Sequence, residues 1–297
     1  MAGLEKDHQF ELGGYRFGYD CPIEIDPSGF QPSGTSWRTS DAELPTEAGS
    51  RPGVDRKAVE TWKFSLYTNC ENDKEAYAAL RGLQRAWDAD EVRLEPGELV
   101  ELRYRLAGET LVVFGRPRRF TPVIDNRSLS GMIPIQCDFD IMYPQAFEDE
   151  LQTKTIPIGA PIDLQAGLLI PFIPPVTLSA GASEKKAEVV VGGDMKTPVV
   201  LTFTGPIAEG ASAQIGDWIA ELRDAVPYDD PITVDSRPWV RSTTYKSGGG
   251  ARVNPRTTRL SKMWLTPGRH SAVFRGEDPT VQASLQVSWR NARRSIR

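Results

Sequence analysis

Apolar and polar residues alternate along most of this chain, most regularly near its end. There Val281, Ala283, Leu285, Val287 and Trp289 fall on one side of an extended strand and Gln282, Ser284, Gln286, Ser288 and Arg290 on the other. The same period of two recurs in Val199, Leu201 and Phe203, which stop at Gly205-Pro206, and in Ile232 and Val234. It is longest in the first half, where Ile133, Ile135, Cys137, Phe139, Ile141 and Tyr143 share one face. Tyr15, Phe17 and Tyr19 predict an opening strand, and Trp62, Phe64 and Leu66 a second. Val100, Leu102, Tyr104 and Leu106 turn at Ala107-Gly108-Glu109 into residues 110–114, which reads as a hairpin. One segment changes period: Ala76, Leu80, Leu83 and Trp87 form a helical stripe behind Asn72 and Glu75, which resemble a capping box, so a helix is expected at about 72–88. Ile215, Trp218, Ile219 and Leu222 fit either a strand or a helical face.

Two stretches lack periodicity. Residues 20–55 hold Pro22, Pro27, Pro32, Pro45 and Pro52 among Gly, Ser and Thr, and are expected to form a long loop or arm, a device that suits reaching a neighbouring subunit. Residues 144–175 are equally rich in Pro and Gly, which places the domain junction there. The reading is therefore mainly β, with two β-sandwich-type domains: 1–155 with the loop and the helix, and 156–297 with a Pro-rich linker before the second sandwich.

Composition adds that this is an ordinary globular sequence, 39% hydrophobic and 25% charged, and that its start has no signal-peptide pattern, so synthesis in the cytoplasm is expected. The apolar run 168–176 is too short to span a bilayer and is broken by Pro171, Pro174 and Pro175. Cys21, Cys70 and Cys137 are scattered and odd in number, with no C-x-x-C pair, and are read as reduced thiols; Cys137, on an apolar face, is read as a small core hydrophobe. The net charge of −5 hides an asymmetry, because residues 236–297 carry thirteen Lys or Arg against Glu277 and Asp278. Scattered among Ser, Thr and Gly, these are read first as solvated strand faces and second as a contact for an acidic partner.

Catalytic signals are thin: His8 and His270 both sit in polar surroundings, and there is no nucleophile elbow, P-loop or zinc-protease motif. No catalytic, cofactor or metal site is expected. Gly248-Gly249-Gly250 reads as a hairpin tip rather than a phosphate cradle. Asp138 and Asp140 lie on the face opposite the apolar one, and solvation explains them more simply than a glycosidase pair. The turn 115–120 carries Arg116, Arg118 and Arg119 without interleaved aromatics, which suits a salt-bridged subunit contact at least as well as nucleic acid. Trp239 and Trp264 are the candidates for a sugar-stacking surface.

Gly192-Gly193-Asp194, Thr197-Pro198-Val199, Phe203-Thr204-Gly205-Pro206 and Pro231-Ile232-Thr233-Val234-Asp235-Ser236-Arg237-Pro238, with Trp264-Leu265-Thr266-Pro267-Gly268 and Val287-Ser288-Trp289-Arg290, resemble the C-terminal domain of distal tail proteins of long-tailed, non-contractile bacteriophages. The N-terminal half resembles that family's ring domain in element order. The sequence departs from the pattern at Val191, where the family often has asparagine, and in longer loops at 20–55 and 150–190. The resemblance implies a galectin-like, jelly-roll C-terminal domain. It also implies a homohexameric ring at the tip of the tail tube that joins the tube and tape measure to tip or baseplate proteins and leaves a channel for passing DNA. The alternative is a carbohydrate-binding module docking host-wall glycan, and a wall hydrolase is a third reading; no membrane partner is implied.

Overall fold

In the computed structural model, which describes residues 4–158 and 183–294 apart from Thr35, Pro45, Glu47 and Pro279, contacts divide the chain into Met1–Asp149 with Arg293–Arg297, and Glu150–Ala292. The prolines at 161, 171, 174 and 175 and the apolar run 168–176 lie outside the described residues.

Unit 1 is one coiled sheet closed over a helix. Its strands are β1 (Gln9–Leu12), β2 (Tyr15–Gly18), β3 (Ile23–Pro32), β4 (Glu60–Thr68), β5 (Val100–Leu106), β6 (Glu109–Pro122), β7 (Pro134–Ile141) and the short β8 (Ala146–Glu148). The order is β2-β1-β5-β6-β7-β4-β3, with β8 paired to β6, and these neighbours pair antiparallel. The sheet coils until Phe10 of β1 meets Phe30 of β3 at 5.1 Å between rings. The helix α1 (Asp73–Asp88) begins where Asn72 accepts the Glu75 amide, and it buries the expected stripe of Ala76, Leu80, Leu83 and Trp87. Gly82 is required there, since a Cβ would stand 2.4 Å from the Tyr15 ring, whose hydroxyl donates to the Ala79 carbonyl.

Residues 20–55 are not a loop throughout. Ile23–Pro32 is a strand paired to β4 through a register shift between Ile25 and Phe30, because Ile23, Ile25 and Phe30 supply inward positions that the prolines conceal. Beyond it, 33–59 forms a two-stranded ribbon with short ladders at Trp37–Arg38 with Arg56–Lys57 and Ala42–Glu43 with Ser50–Arg51.

Unit 2 is a sandwich. One sheet has the order β9 (Gln152–Pro157), β17 (Ser284–Trp289), β11 (Val200–Thr204), β14 (Ile232–Asp235), β15 (Ser242–Tyr245). The other has the order β10 (Ser183–Val191), β16 (Gly268–Gly276), β12 (Ser212–Ile215), β13 (Trp218–Glu221). Leu201, Phe203, Ile232, Val234, Leu285 and Val287 from the first face Val189, Ile215, Ala220 and Phe274 from the second. The ambiguous segment around Ile215 to Leu222 is thus a hairpin, β12–β13. The last strand starts later than its pattern predicts: Val281 has φ +58° and is exposed, because Asp278 gathers the amides of Thr280, Gln282 and Ala283 into a turn first.

Candidate functional site

The arginines expected on a turn lie inside a strand. β6 runs straight through 116–119, and its register against β7 shifts between Pro117 and Phe120, a bulge at a proline that has no ladder donor to lose. The bulge turns Arg118 and Arg119 outward as an exposed pair. All three guanidinium groups have partners within the unit. Arg116 donates to the carbonyls of Glu98 (2.9 Å) and Glu95 (2.7 Å) and fixes the loop that follows α1. Arg118 pairs with Asp140 at 2.8 Å, and Asp140 also accepts from the Thr61 hydroxyl at 2.6 Å. Arg119 donates to Thr121 Oγ1 and Gln136 Oε1. Arg118 and Arg119 tie β6 to β7 at the surface, and an exposed ion pair such as Arg118–Asp140 contributes little stability.

The two tryptophans differ in setting. Trp264 is half-buried; its indole N–H donates to the Ser261 carbonyl, its own carbonyl accepts from the Trp218 indole, and the Lys196 ammonium stands 4.9 Å from the ring centroid. A sugar stacking on that face would have to displace Lys196. Trp239 is half-buried in the turn that follows β14, beside the Arg237–Asp235 ion pair. Nor do the carboxylates form an acid–base site: Asp230 accepts from the Ser247 amide and hydroxyl, which pin the 248–250 tip, and its pKa is lowered by those bonds. Among the described residues no group of His, Cys, Asp and Glu is arranged to hold a metal, and no helix is long and apolar enough to cross a membrane.

Four arginines of the basic C-terminal segment have acidic partners. Arg237 pairs with Asp235, Arg252 with Asp224, Arg269 with Glu188 and Arg293 with Glu148, all acidic residues from earlier in the chain. These four pairs offset part of the segment's positive charge in space.

Unit 1 also exposes large apolar side chains. Every described residue from 31 to 56 is exposed, and the ribbon presents Trp37 at 56%, Val54 at 67% and Val59 at 49% of full exposure. It is held near its base by Ser33, whose amide donates to the Thr61 carbonyl, and by Lys57, which reaches the Pro144 carbonyl at 3.5 Å. Its strands approach closely enough at Gly53 that a Cβ would stand 2.0 Å from the Ser40 carbonyl oxygen. A second feature is the loop 123–132, built on a 3-10 turn (Asn126–Ser130) capped by Asp125, where Ile124 and Leu129 are 61% and 74% exposed. A two-stranded ribbon is marginal in isolation, and exposed apolar side chains of this kind mark interaction surfaces.

No family model matches the sequence, and no curated protein is similar to it. Solved structures are similar over almost the whole chain. The crystal structure of the SPP1 Dit protein, described as a paradigm of the hub adsorption apparatus in phages that infect Gram-positive hosts, superimposes with a TM-score of 0.56 at 9% identity, covering 96% of this chain and 98% of that one. Chains of the phage P2 baseplate in its activated conformation with Ca and with Sr follow at TM-scores of 0.51 and 0.50 and 12% and 13% identity, each covering 94% of this chain and 97% of the other. The chain has the fold of a phage tail hub protein.

Within that hub fold, sequence reasoning found the ribbon as an arm and missed the 123–132 loop. The signal was present: Val123, Ile124, Leu129 and Met132 follow neither a period of two nor of 3.6, so no element of their own would bury them.

Proposed function

We propose that this chain is a structural component of a phage tail tip, a distal tail protein that assembles as a homohexameric ring between the tail tube and the tip or baseplate proteins. The observation that carries this reading is the full-length likeness, across both units, to a hub protein and to baseplate chains. At these identities the likeness speaks for the fold, and the exposed surfaces of unit 1 supply the rest. A closed ring needs a heterologous interface, in which one patch of a protomer meets a different patch of the next. The ribbon and the 123–132 loop are two such patches, each carrying exposed apolar side chains. The ring would leave a central channel for DNA as passing cargo, and it would sit at the distal end of the tail in the virion after synthesis in the host cytoplasm. Tail tube, tape measure and tip proteins are its partners, and it performs no catalysis.

The mass of the purified protein in solution, with negative-stain images of the same sample, tests this. A hexamer with an open centre is expected, and shortening 33–59 to a tight turn should leave a folded monomer. A monomer both alone and mixed with its neighbouring tail proteins would sink the proposal.

A further inference from the structure

The ladder between β3 and β4 sets Ile25 opposite Leu66, Glu24 opposite Tyr67 and Ile23 opposite Thr68. One step further out, the Asn69 amide donates to the Pro22 carbonyl at 2.9 Å, so Pro22 and Asn69 continue the register as a hydrogen-bonded pair. Continued one step further, the same register would set Cys21 opposite Cys70 as a non-hydrogen-bonded pair. In regular antiparallel geometry such residues have Cα atoms about 4.5 Å apart, within the range a disulfide spans.

The burial of the side chains agrees with the register, and in the reduced protein Cys21 Sγ contacts the Tyr19 carbonyl at 3.6 Å and the Gln9 side-chain amide at 4.0 Å. Residues two apart on a strand share a face, so Cys21 and Cys70 follow the buried pair Ile23 and Thr68. Both thiols are half-buried, and Cys70 Sγ already reaches across to the Pro22 carbonyl at 3.7 Å. Burial first, then Cys70 and Cys21, push the Tyr15 hydroxyl up to about 12, which puts both sulfurs within electrostatic range of one phenol. Cys137 is fully buried on the apolar face of β7.

We propose that Cys21 and Cys70 are a cross-strand redox pair that closes to a disulfide when the protein meets a small-molecule disulfide. In the exchange the Cys70 thiolate attacks one sulfur of glutathione disulfide, which expels one glutathione and leaves a mixed disulfide on Cys70. The Cys21 thiolate then attacks the Cys70 sulfur, the protein S–S bond forms, and the second glutathione leaves. Two protein thiols are oxidised, one glutathione disulfide is reduced to two thiols, and the two protein protons end on the departing glutathiones. Burial raises both cysteine pKa values, so exchange is slow near neutrality and quickens as pH rises. The bond encloses β3, the whole ribbon and β4 in one covalent loop and closes the end of the β3–β4 pair opposite to the ribbon. This inference goes beyond the tail-hub reading and does not depend on it.

The test uses the full chain, kept folded as judged by near-UV circular dichroism, incubated with glutathione disulfide at about pH 8.5 and mapped by mass spectrometry without reduction. The expected result is one Cys21–Cys70 crosslink, with Cys137 alkylated only after unfolding. Cys21→Ser under the same treatment should carry a single glutathione on Cys70 and no crosslink. Two separate glutathione adducts on the unaltered protein, both thiols left free, or a bridge to Cys137 would each overturn the proposal.

Discussion

Unit 1 packs Phe10, Phe17, Phe64, Trp62, Trp87, Tyr104 and Phe139 ring against ring, whereas unit 2 is filled by Leu, Ile, Val and Ala around the Phe203–Phe274 contact. The difference follows from how each sheet closes. Two facing sheets stand about 10 Å apart, a gap that aliphatic side chains from both sides fill. A single sheet coiled over one helix leaves a wider and less regular interior, which large rings fill with few residues. The rings bring polar atoms with them: the Trp62 and Trp87 indole N–H groups and the Tyr104 hydroxyl are buried with no hydrogen-bond partner in the protein. The sandwich manages its polar groups better. Asp278, buried in unit 2, accepts from the Thr280 amide and hydroxyl and from the Gln282 and Ala283 amides, all at 2.6–2.8 Å.

The sharpest break of this comparison is truncation of the ring at its centre. Trp87→Ala removes contacts to Phe17, Phe64, Phe120 and Phe139 and should cost about 3–5 kcal/mol. Hydrogen exchange should then show lost protection in β4 and β7 with β11 and β17 unchanged; equal loss in both units would contradict two separate cores. In unit 2, Asp278→Asn should cost about 1–3 kcal/mol, since an amide turns a donor toward amides that need an acceptor. This effect depends on pH in a defined direction. Burial alone would raise the Asp278 pKa, but the bonds from Thr280, Ala283 and Gln282 outweigh it and the folded value is lowered. Its contribution is therefore complete above the ordinary carboxylate pKa and fades as pH falls through the folded value, so the stability gap between the two proteins, measured by urea titration, should narrow below about pH 4. A gap constant down to about pH 2 would argue against a lowered pKa. The smallest effect has the opposite sign. Tyr104→Phe removes an unpartnered hydroxyl without changing the ring and should leave unit 1 equally stable or up to about 1 kcal/mol more stable; a clear loss would mean that the hydroxyl has a partner.

Much of this was legible in the chain because it is local. Asn72, Glu75 and the 76-80-83-87 stripe define the helix within one segment, and the alternations at 62–66, 133–141, 199–203 and 285–289 each assign a buried face. The candidate site was less legible. Arg116 to Arg119 look like a turn in one dimension, since Pro117 reads as punctuation, and only pairing with β7 makes them a bulge inside a long strand. Trp264 looks like an open ring until Lys196 is placed over it.

The sequence by itself determined which residues turn inward and where one helix interrupts the strands, because side-chain direction follows from the backbone period of a single segment. Tertiary structure alone decided which strands pair, which acidic residues meet four of the C-terminal arginines, and that Trp37, Val54 and Val59 of 33–59 are left uncovered. Alternation specifies a face and not a partner; hydrogen bonds between strands, and the ion pairs laid across them, join residues far apart in the chain, so they exist only once the sheets have closed.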